Sequence, residues 1–373
     1  MSTDNPIRYA IIGLGSIAQE AVLPAFQHAE NSRLTALVSG DAEKRPELGR
    51  TYNCRTYPYD QYEACLSSGE VDAVYICVPN HLHRQYAEAA ARKRVHILCE
   101  KPLAPSEADC RAIIDSARFH QVKLMTAYRL HFEESNLEAG RLCASGALGD
   151  PRIFTSVFCQ QVAEGNIRLS EPVSRGGGPL FDMGIYCINA ARSLFRDEPV
   201  EVTAVRASGG DPRFNNSEEM VNVVLRFPGD RLATFTVSFG AVPIATYSVI
   251  GTKGKLTANA AYEYSMNIQM TVTSEGKTTE RVFRKRDQFA PELIYFSDCI
   301  LQNKEPEPSG EEGLIDIQII SAAYRSAETG QTVPIRTAKR DRRPEPSQQI
   351  DRPPVEEPEL VNARMPSGAT RNS

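Results

Sequence analysis

The run Tyr9-Ala10-Ile11-Ile12-Gly13-Leu14-Gly15-Ser16-Ile17-Ala18 decides the fold. Four apolar residues read as a buried strand, two glycines interrupt it, and a helical pattern resumes over residues 17–27. Gly13 permits a tight turn, and Gly15 lets backbone come close to a diphosphate. Ala18, in the third small position, allows helix and strand to pack closely. Ser16 and Ile17 open the helix, whose first amides point at an anion. G-x-G-x-x-A alone is a weak signal. At the first strand–helix junction of a βαβ unit it specifies a dinucleotide site.

Working outward, strand-like runs recur at residues 34–38, 73–78, 96–99 and 123–127. Helical spacing lies between them, as at 85–92 and 107–119. This alternation predicts an α/β Rossmann domain, residues 1–128, with a parallel sheet covered on both faces. From residue 129 the pattern changes. One helix over 133–145 precedes β-rich runs at 152–161, 200–207, 220–227, 231–239, 246–251, 254–258, 266–273 and 278–283. Short turns such as Pro228-Gly229-Asp230 predict an α+β domain with a large, predominantly antiparallel open sheet over 129–336. A last helix, 312–329, ends at Gly330 and is expected to return towards the first domain. Residues 337–373 hold few large apolar side chains and, from Lys339, six prolines. They are expected to be disordered or to drape over a partner subunit.

The second strand decides which dinucleotide. Where a diol-binding carboxylate is usual, the chain reads Val38-Ser39-Gly40-Asp41-Ala42-Glu43-Lys44-Arg45. A hydroxyl at Ser39, a small residue at Gly40 and the cations Lys44 and Arg45 suit a 2′-phosphate. Asp41 argues the other way. NADP is the expected cofactor, with NAD as the alternative.

Two further segments carry chemistry. Glu100-Lys101-Pro102 follows a parallel strand and so lies on the sheet edge that bears ligands. Gly176-Gly177-Gly178 offers backbone without bulk and precedes Asp182 and Tyr186, which share a helix face four residues apart. A tyrosine, a lysine and an aspartate can together move a proton at a carbinol oxygen while hydride moves at the nicotinamide. The lysine charge favours the phenolate, and the aspartate orients substrate.

These motifs, together with Val78-Pro79-Asn80 and His83, resemble the glucose–fructose oxidoreductase / inositol dehydrogenase / MocA family over roughly residues 6 to 336. The local stretches 127–132, 287–289 and 310–313 are similar to its glucose–fructose oxidoreductase and sugar dehydrogenase branch. The resemblance implies Lys101, Asp182 and Tyr186 as catalytic group, with Tyr186 as acid/base where most of the family has histidine. It implies Pro79, Asn80, His83, Glu100 and Arg129 around the nicotinamide ribose and substrate, and Arg168 on the cofactor. The family's usual tryptophan before that arginine is Ile167 here. The expected function is NADP-dependent hydride transfer with a sugar or cyclic polyol. A non-catalytic regulatory NAD(P)-binding protein and a cofactor-dependent glycoside-cleaving enzyme are the alternatives. The family's second domain also implies a homo-oligomer.

Composition narrows the class. A net charge of −5 and a pI near 5.8 give nucleic acid or an anionic membrane nothing to grip. The opening MSTDNPIRYA lacks the basic and apolar regions of an export signal, and no apolar run reaches the ~18 residues of a membrane span. Nine cysteines without a C-x-x-C pair read as reduced thiols, so a cytoplasmic enzyme is expected. Cys77 and Cys99 read as core residues. His81 and His83 have no carboxylate or cysteine at ligand spacing, so no metal is expected.

Overall fold

The structure, a computed structural model, describes residues 5–340 and 342–363. The chain divides into two compact units. Of the described residues, the first holds 5–129, Arg286–Leu314 and 351–363; the second holds Leu130–Lys285, 315–340 and 342–350.

In the first unit six parallel strands form one sheet: β1 (Ile7–Ile12), β2 (Ser32–Val38), β3 (Arg55–Tyr57), β4 (Ala73–Ile76), β5 (His96–Glu100) and β6 (Leu124–Ala127). Their order, β3-β2-β1-β4-β5-β6, is the doubly wound Rossmann order. It places a topological switch between β1 and β4. β4 is buried at every position and β1 at all but one, as expected of strands covered on both faces. The helix Glu107–Phe119 falls where its apolar spacing put it, and Ser106 caps it by accepting from the Asp109 amide. The helix Ala290–Leu301, absent from the sequence expectation, packs on the β1–β2 side of this sheet. The Ser297 hydroxyl lies 2.8 Å from both the Tyr9 phenol and the Ser32 hydroxyl.

The second unit carries nine strands: β7 (Pro151–Cys159), β8 (Glu201–Ala207), β9 (Met220–Phe227), β10 (Arg231–Ser238), β11 (Ile244–Gly251), β12 (Gly254–Asn259), β13 (Ile268–Ser274), β14 (Lys277–Phe283) and β15 (Val333–Pro334). Their order is β14-β13-β12-β11-β7-β10-β9-β8-β15, and only the β7–β10 pair is parallel. Register separates the faces. Val223, Phe235, Ser156, Tyr247 and Ala258 align across five strands and are buried. The neighbouring row Val224, Thr234, Thr155, Ser248 and Thr257 is partly or fully exposed.

The chain's own division differs from the boundaries expected at 128 and 336. Residues 286–314 return to the first unit, so the helix Gly310–Thr329 begins there and continues in the second. The tail expectation also needs correction. Residues 351–363 lie against the chain's own first unit, held by polar bonds that a count of apolar side chains does not register. Arg343 is buried, and it donates to Glu198 at 2.6 Å. The remainder of the expected tail, 364–373, lies outside the described residues.

Candidate functional site

In the first unit, the site residues expected of the cofactor pocket follow the carboxyl ends of β1, β2, β4, β5 and β6, the edge where open parallel sheets bind ligands. Gly13 has φ +92°, and its amide donates to Val38 O at 2.9 Å, tying the β1 loop to β2. A Cβ there would sit 2.7 Å from Cys77 O. Gly15 differs: its added Cβ would meet no protein atom within 4 Å beyond its chain neighbours. Gly15, Ser16 and Ile17 are half-buried. The turn after them, Ala18–Val22, is π-helical rather than the regular helix expected, a form concentrated at functional sites.

The β2 turn shows what Asp41 does. Its Oδ1 accepts the Glu43 and Lys44 amides at 2.9 and 3.0 Å, capping the helix Lys44–Thr51, and its Oδ2 lies 3.9 Å from Lys44 Nζ. Those amide bonds, chiefly, hold its carboxyl below the usual range. The carboxylate is therefore engaged within its own turn. Arg45 donates to Ser39 O at 2.7 Å, and the Ser39 hydroxyl accepts the Asp41 amide at 3.2 Å. Gly40 is exposed, and a Cβ on it would meet the Tyr59 ring at 3.1 Å.

Pro79 and Asn80 are half-buried on the loop after β4. His83 is fully buried. Its Nε2 lies 2.9 Å from Val78 O and its Nδ1 3.0 Å from Pro102 O, so its work is to fasten the β4 loop to the Glu100-Lys101-Pro102 loop. Lys101 is half-buried there, and Arg129 is buried against Gln288. Beneath them lies a feature the sequence did not reveal. The Tyr75 phenol is 2.9 Å from Glu100 Oε1 and 3.1 Å from Oε2 of Glu292, which is 0% exposed. One phenolic hydrogen cannot serve two carboxylates, so one carboxyl must itself donate. Glu100 also accepts the Lys101 amide, and the Lys101 charge opposes the effect of burial on it. Burial, and then Glu100 itself, push Glu292 well above the carboxylate range. Burial raises both carboxyls, and Glu292 the more, which favours the proton on Glu292. Its helix could have been found from Asp287, whose Oδ1 accepts the Phe289 and Ala290 amides, and from Pro291 in the first turn.

In the second unit Asp182 sits in a π-helical turn, Leu180–Gly184, that runs into the helix Ile185–Phe195 carrying Tyr186. Asp182 Oδ2 pairs with the Arg168 guanidinium at 2.9 Å, so the structure joins Arg168 to a catalytic candidate. Nothing in the local pattern links positions fourteen apart. The Tyr186 ring packs edge-on to Phe158 at 5.7 Å. The glycine run also differs from its expectation. A Cβ on Gly177 would meet Glu171 O at 1.9 Å, and one on Gly178 would meet Glu218 Oε1 at 2.8 Å. Those glycines let the chain pack on itself. Farther along the same helix, Asn189 lies 2.8 Å from His131 Nε2 and 2.9 Å from Asp316 Oδ2. Arg192, 0% exposed, reaches Glu198 at 2.5 Å and Asp316 at 2.6 Å. This buried network fixes the helix that presents Tyr186.

Among the described residues no three His, Cys, Asp or Glu side chains group as metal ligands, and no helix is long and apolar enough to cross a membrane. Cys99 is buried and Cys77 half-buried.

Residues 7–128 match a family model described as an oxidoreductase family with an NAD-binding Rossmann fold. Residues 136–257 match the GFO/IDH/MocA C-terminal domain. Over 339 residues the chain is 33% identical to the NADP(+) D-xylose 1-dehydrogenase of Haloarcula marismortui, covering 89% of this chain and 94% of that one. Aldose-aldose oxidoreductase from Caulobacter crescentus, solved with glycerol, superposes with a TM-score of 0.84 at 37% identity. That match covers 89% of this chain and all of that one. A 3-ketoreductase from Actinomadura kijaniata, solved with NADP and TDP-benzene, gives 0.77 at 25% identity over 86% of this chain and 98% of its own.

Proposed function

Because this chain belongs to the GFO/IDH/MocA oxidoreductase family, we propose that it transfers hydride between NADP and a sugar or cyclic polyol, at a CH–OH group. The observation that carries the cofactor choice is the β2 turn. Asp41 is engaged in capping, while Ser39 and Lys44 remain beside it to meet a 2′-phosphate. The residues fit a dinucleotide, since Gly15 leaves its loop open to a diphosphate and the cations Lys44 and Arg45 flank the turn. The relatives that act on xylose and on aldoses support the substrate class.

When bound, the nicotinamide supplies the carbon that accepts or gives the hydride. In this reading Tyr186 takes the proton from the sugar hydroxyl or returns it to the carbonyl oxygen. Lys101 offsets the charge that develops on that oxygen, and Asp182, held by Arg168, orients the sugar. The test is reduction of NADP and of NAD by a panel of aldoses and cyclic polyols. Lys101→Ala and Tyr186→Phe should each lower turnover about 10²–10⁴-fold, and near-full turnover in either would end this assignment.

The same reading takes the protein to be a cytoplasmic homo-oligomer. The row Val224, Thr234, Thr155 and Ser248 supports a self-associating face, being short-chained, uncharged and partly or fully exposed. A Thr234→Lys variant that sediments like the wild type would argue against that face.

A further inference from the structure

Gln19 is only 1% exposed, and its side-chain amide is committed at both ends. Its Nε2 lies 2.9 Å from Leu14 O, in the glycine loop, and 2.9 Å from Val361 O, in the tail. Its Oε1 accepts the Val361 amide at 2.8 Å. The next residue, Asn362, donates to Glu43 Oε2 at 2.6 Å, in the turn that carries Ser39 and Lys44. Adjacent α-carbons are about 3.8 Å apart, so two consecutive tail residues tie the glycine loop to the β2 turn. A Rossmann unit places the diphosphate at the first of these and the adenosine ribose at the second. The approach is anchored too. Arg352 donates to His28 O at 2.9 Å and to Glu30 at 2.6 Å, and its own carbonyl accepts the Asp287 amide at 3.2 Å. Neither family model reaches this segment.

We propose that residues 351–363 are a further cofactor-binding element, a strap whose Val361 and Asn362 hold the two loops together around the adenosine 2′-phosphate end of NADP and slow its release. Opening the site for exchange requires the glycine loop and the β2 turn to part. The Gln19–Val361 pair and the Asn362–Glu43 bond resist that parting together. The strap adds no charge of its own at this point, so it acts on the rate of departure more than on attraction of the nucleotide.

The inference rests on the dinucleotide reading above, and the experiment separates the two. In the full chain, Val361→Pro removes the amide that Gln19 accepts, and Asn362→Ala removes the bond to Glu43. NADPH is bound, and its release into excess NADP is followed by fluorescence in a stopped-flow instrument. Each substitution should accelerate release by about tenfold, the equivalent of one hydrogen bond with a charged or well-ordered partner. Hydrogen exchange at residues 357–363 should slow when NADP binds to the wild type. Acceleration of less than about threefold in both variants, or exchange indifferent to NADP, overturns the strap while leaving the dinucleotide reading intact. A wild type that takes up no NADPH overturns both.

Discussion

Placing one methyl group at each of the two glycines of the β1 loop should give opposite phenotypes. In Gly13→Ala an L side chain must hold φ +92°, which costs about 1–3 kcal/mol. Its Cβ also lands 2.7 Å from Cys77 O and 2.8 Å from Cys77 C. Those are backbone atoms, and the Cys77 amide is bonded to Ile12 O at 2.7 Å, so they yield only by moving β4 against β1. Overpacking of this kind adds roughly 1–3 kcal/mol. A total of about 2–6 kcal/mol lowers the melting midpoint by roughly 4–24 °C in a unit of this size, at about 2–4 °C per kcal/mol. In Gly15→Ala the methyl meets no protein atom within 4 Å and φ is not positive, so the midpoint should stay within about 2 °C. The same methyl occupies the approach of the diphosphate, so NADP should bind at least about tenfold more weakly and its thermal stabilisation should fall by about 1.4 kcal/mol or more at saturating NADP. Differential scanning fluorimetry with and without NADP, and fluorescence titration of NADPH, read both effects. A Gly13→Ala protein that melts like the wild type refutes the turn argument. A Gly15→Ala protein that binds NADPH like the wild type refutes the cradle argument.

Combining Ser39→Asp with Lys44→Ala should move preference towards NAD, because the loss of one charge-assisted bond to a 2′-phosphate weakens NADP by about 1.5–3 kcal/mol; the ratio of dissociation constants measures it. Arg192→Ala removes the buried cation beside Asp316 and leaves Glu198 with Arg343, and should destabilise the second unit by roughly 3–5 kcal/mol, whereas Arg192→Met should cost less, as chemical denaturation of the two variants will show. Glu292 has its folded pKa raised, so the native state keeps a proton that the unfolded chain releases above about pH 4.3. Its contribution is full below that pH and is lost as pH rises towards the folded value, at about 1.4 kcal/mol per pH unit. Glu292→Gln should therefore gain stability relative to the wild type from pH 5 to pH 8 and should remove a protonated-carboxyl band from the infrared spectrum; a band removed instead by Glu100→Gln would place the proton on the other side of Tyr75.

The first unit was legible because its signals are local. The run from Tyr9 to Ala18 carries strand, turn and helix start within ten residues, and each later strand end brought its own loop into view. The period-2 alternation of β9 likewise gave its bounds directly, since every other residue is buried. Pairings over long separations were not legible. Glu292 meets Tyr75 across 217 positions, and no local pattern connects them. Its helix escaped notice because Ala290–Leu301 is buried over most of its surface and so lacks a polar stripe. The ion pair of Arg168 was not legible either, as it depends on how the π-helical turn presents Asp182. Gly177 and Gly178 were correctly singled out as positions needing no side chain, but what fills the space is Glu171 and Glu218. The tail was misjudged on composition, because Gln19 and Glu43 secure it through polar groups.

The tail's grip on Gln19 and Glu43 also bears on where the electrons go. If the nucleotide outlasts the catalytic cycle, the protein does not feed reducing equivalents into a shared pool. Each oxidation leaves a reduced nicotinamide in place, and a second carbonyl compound must reoxidise it before the next sugar can react. Supplied with a single cyclic polyol, which has no carbonyl to take the hydride back, such a protein would give one equivalent of product per polypeptide and then stall. Supplied with an aldose and an acceptor sugar, it would turn over without free NADP, and the acceptor rather than the cofactor concentration would govern its speed.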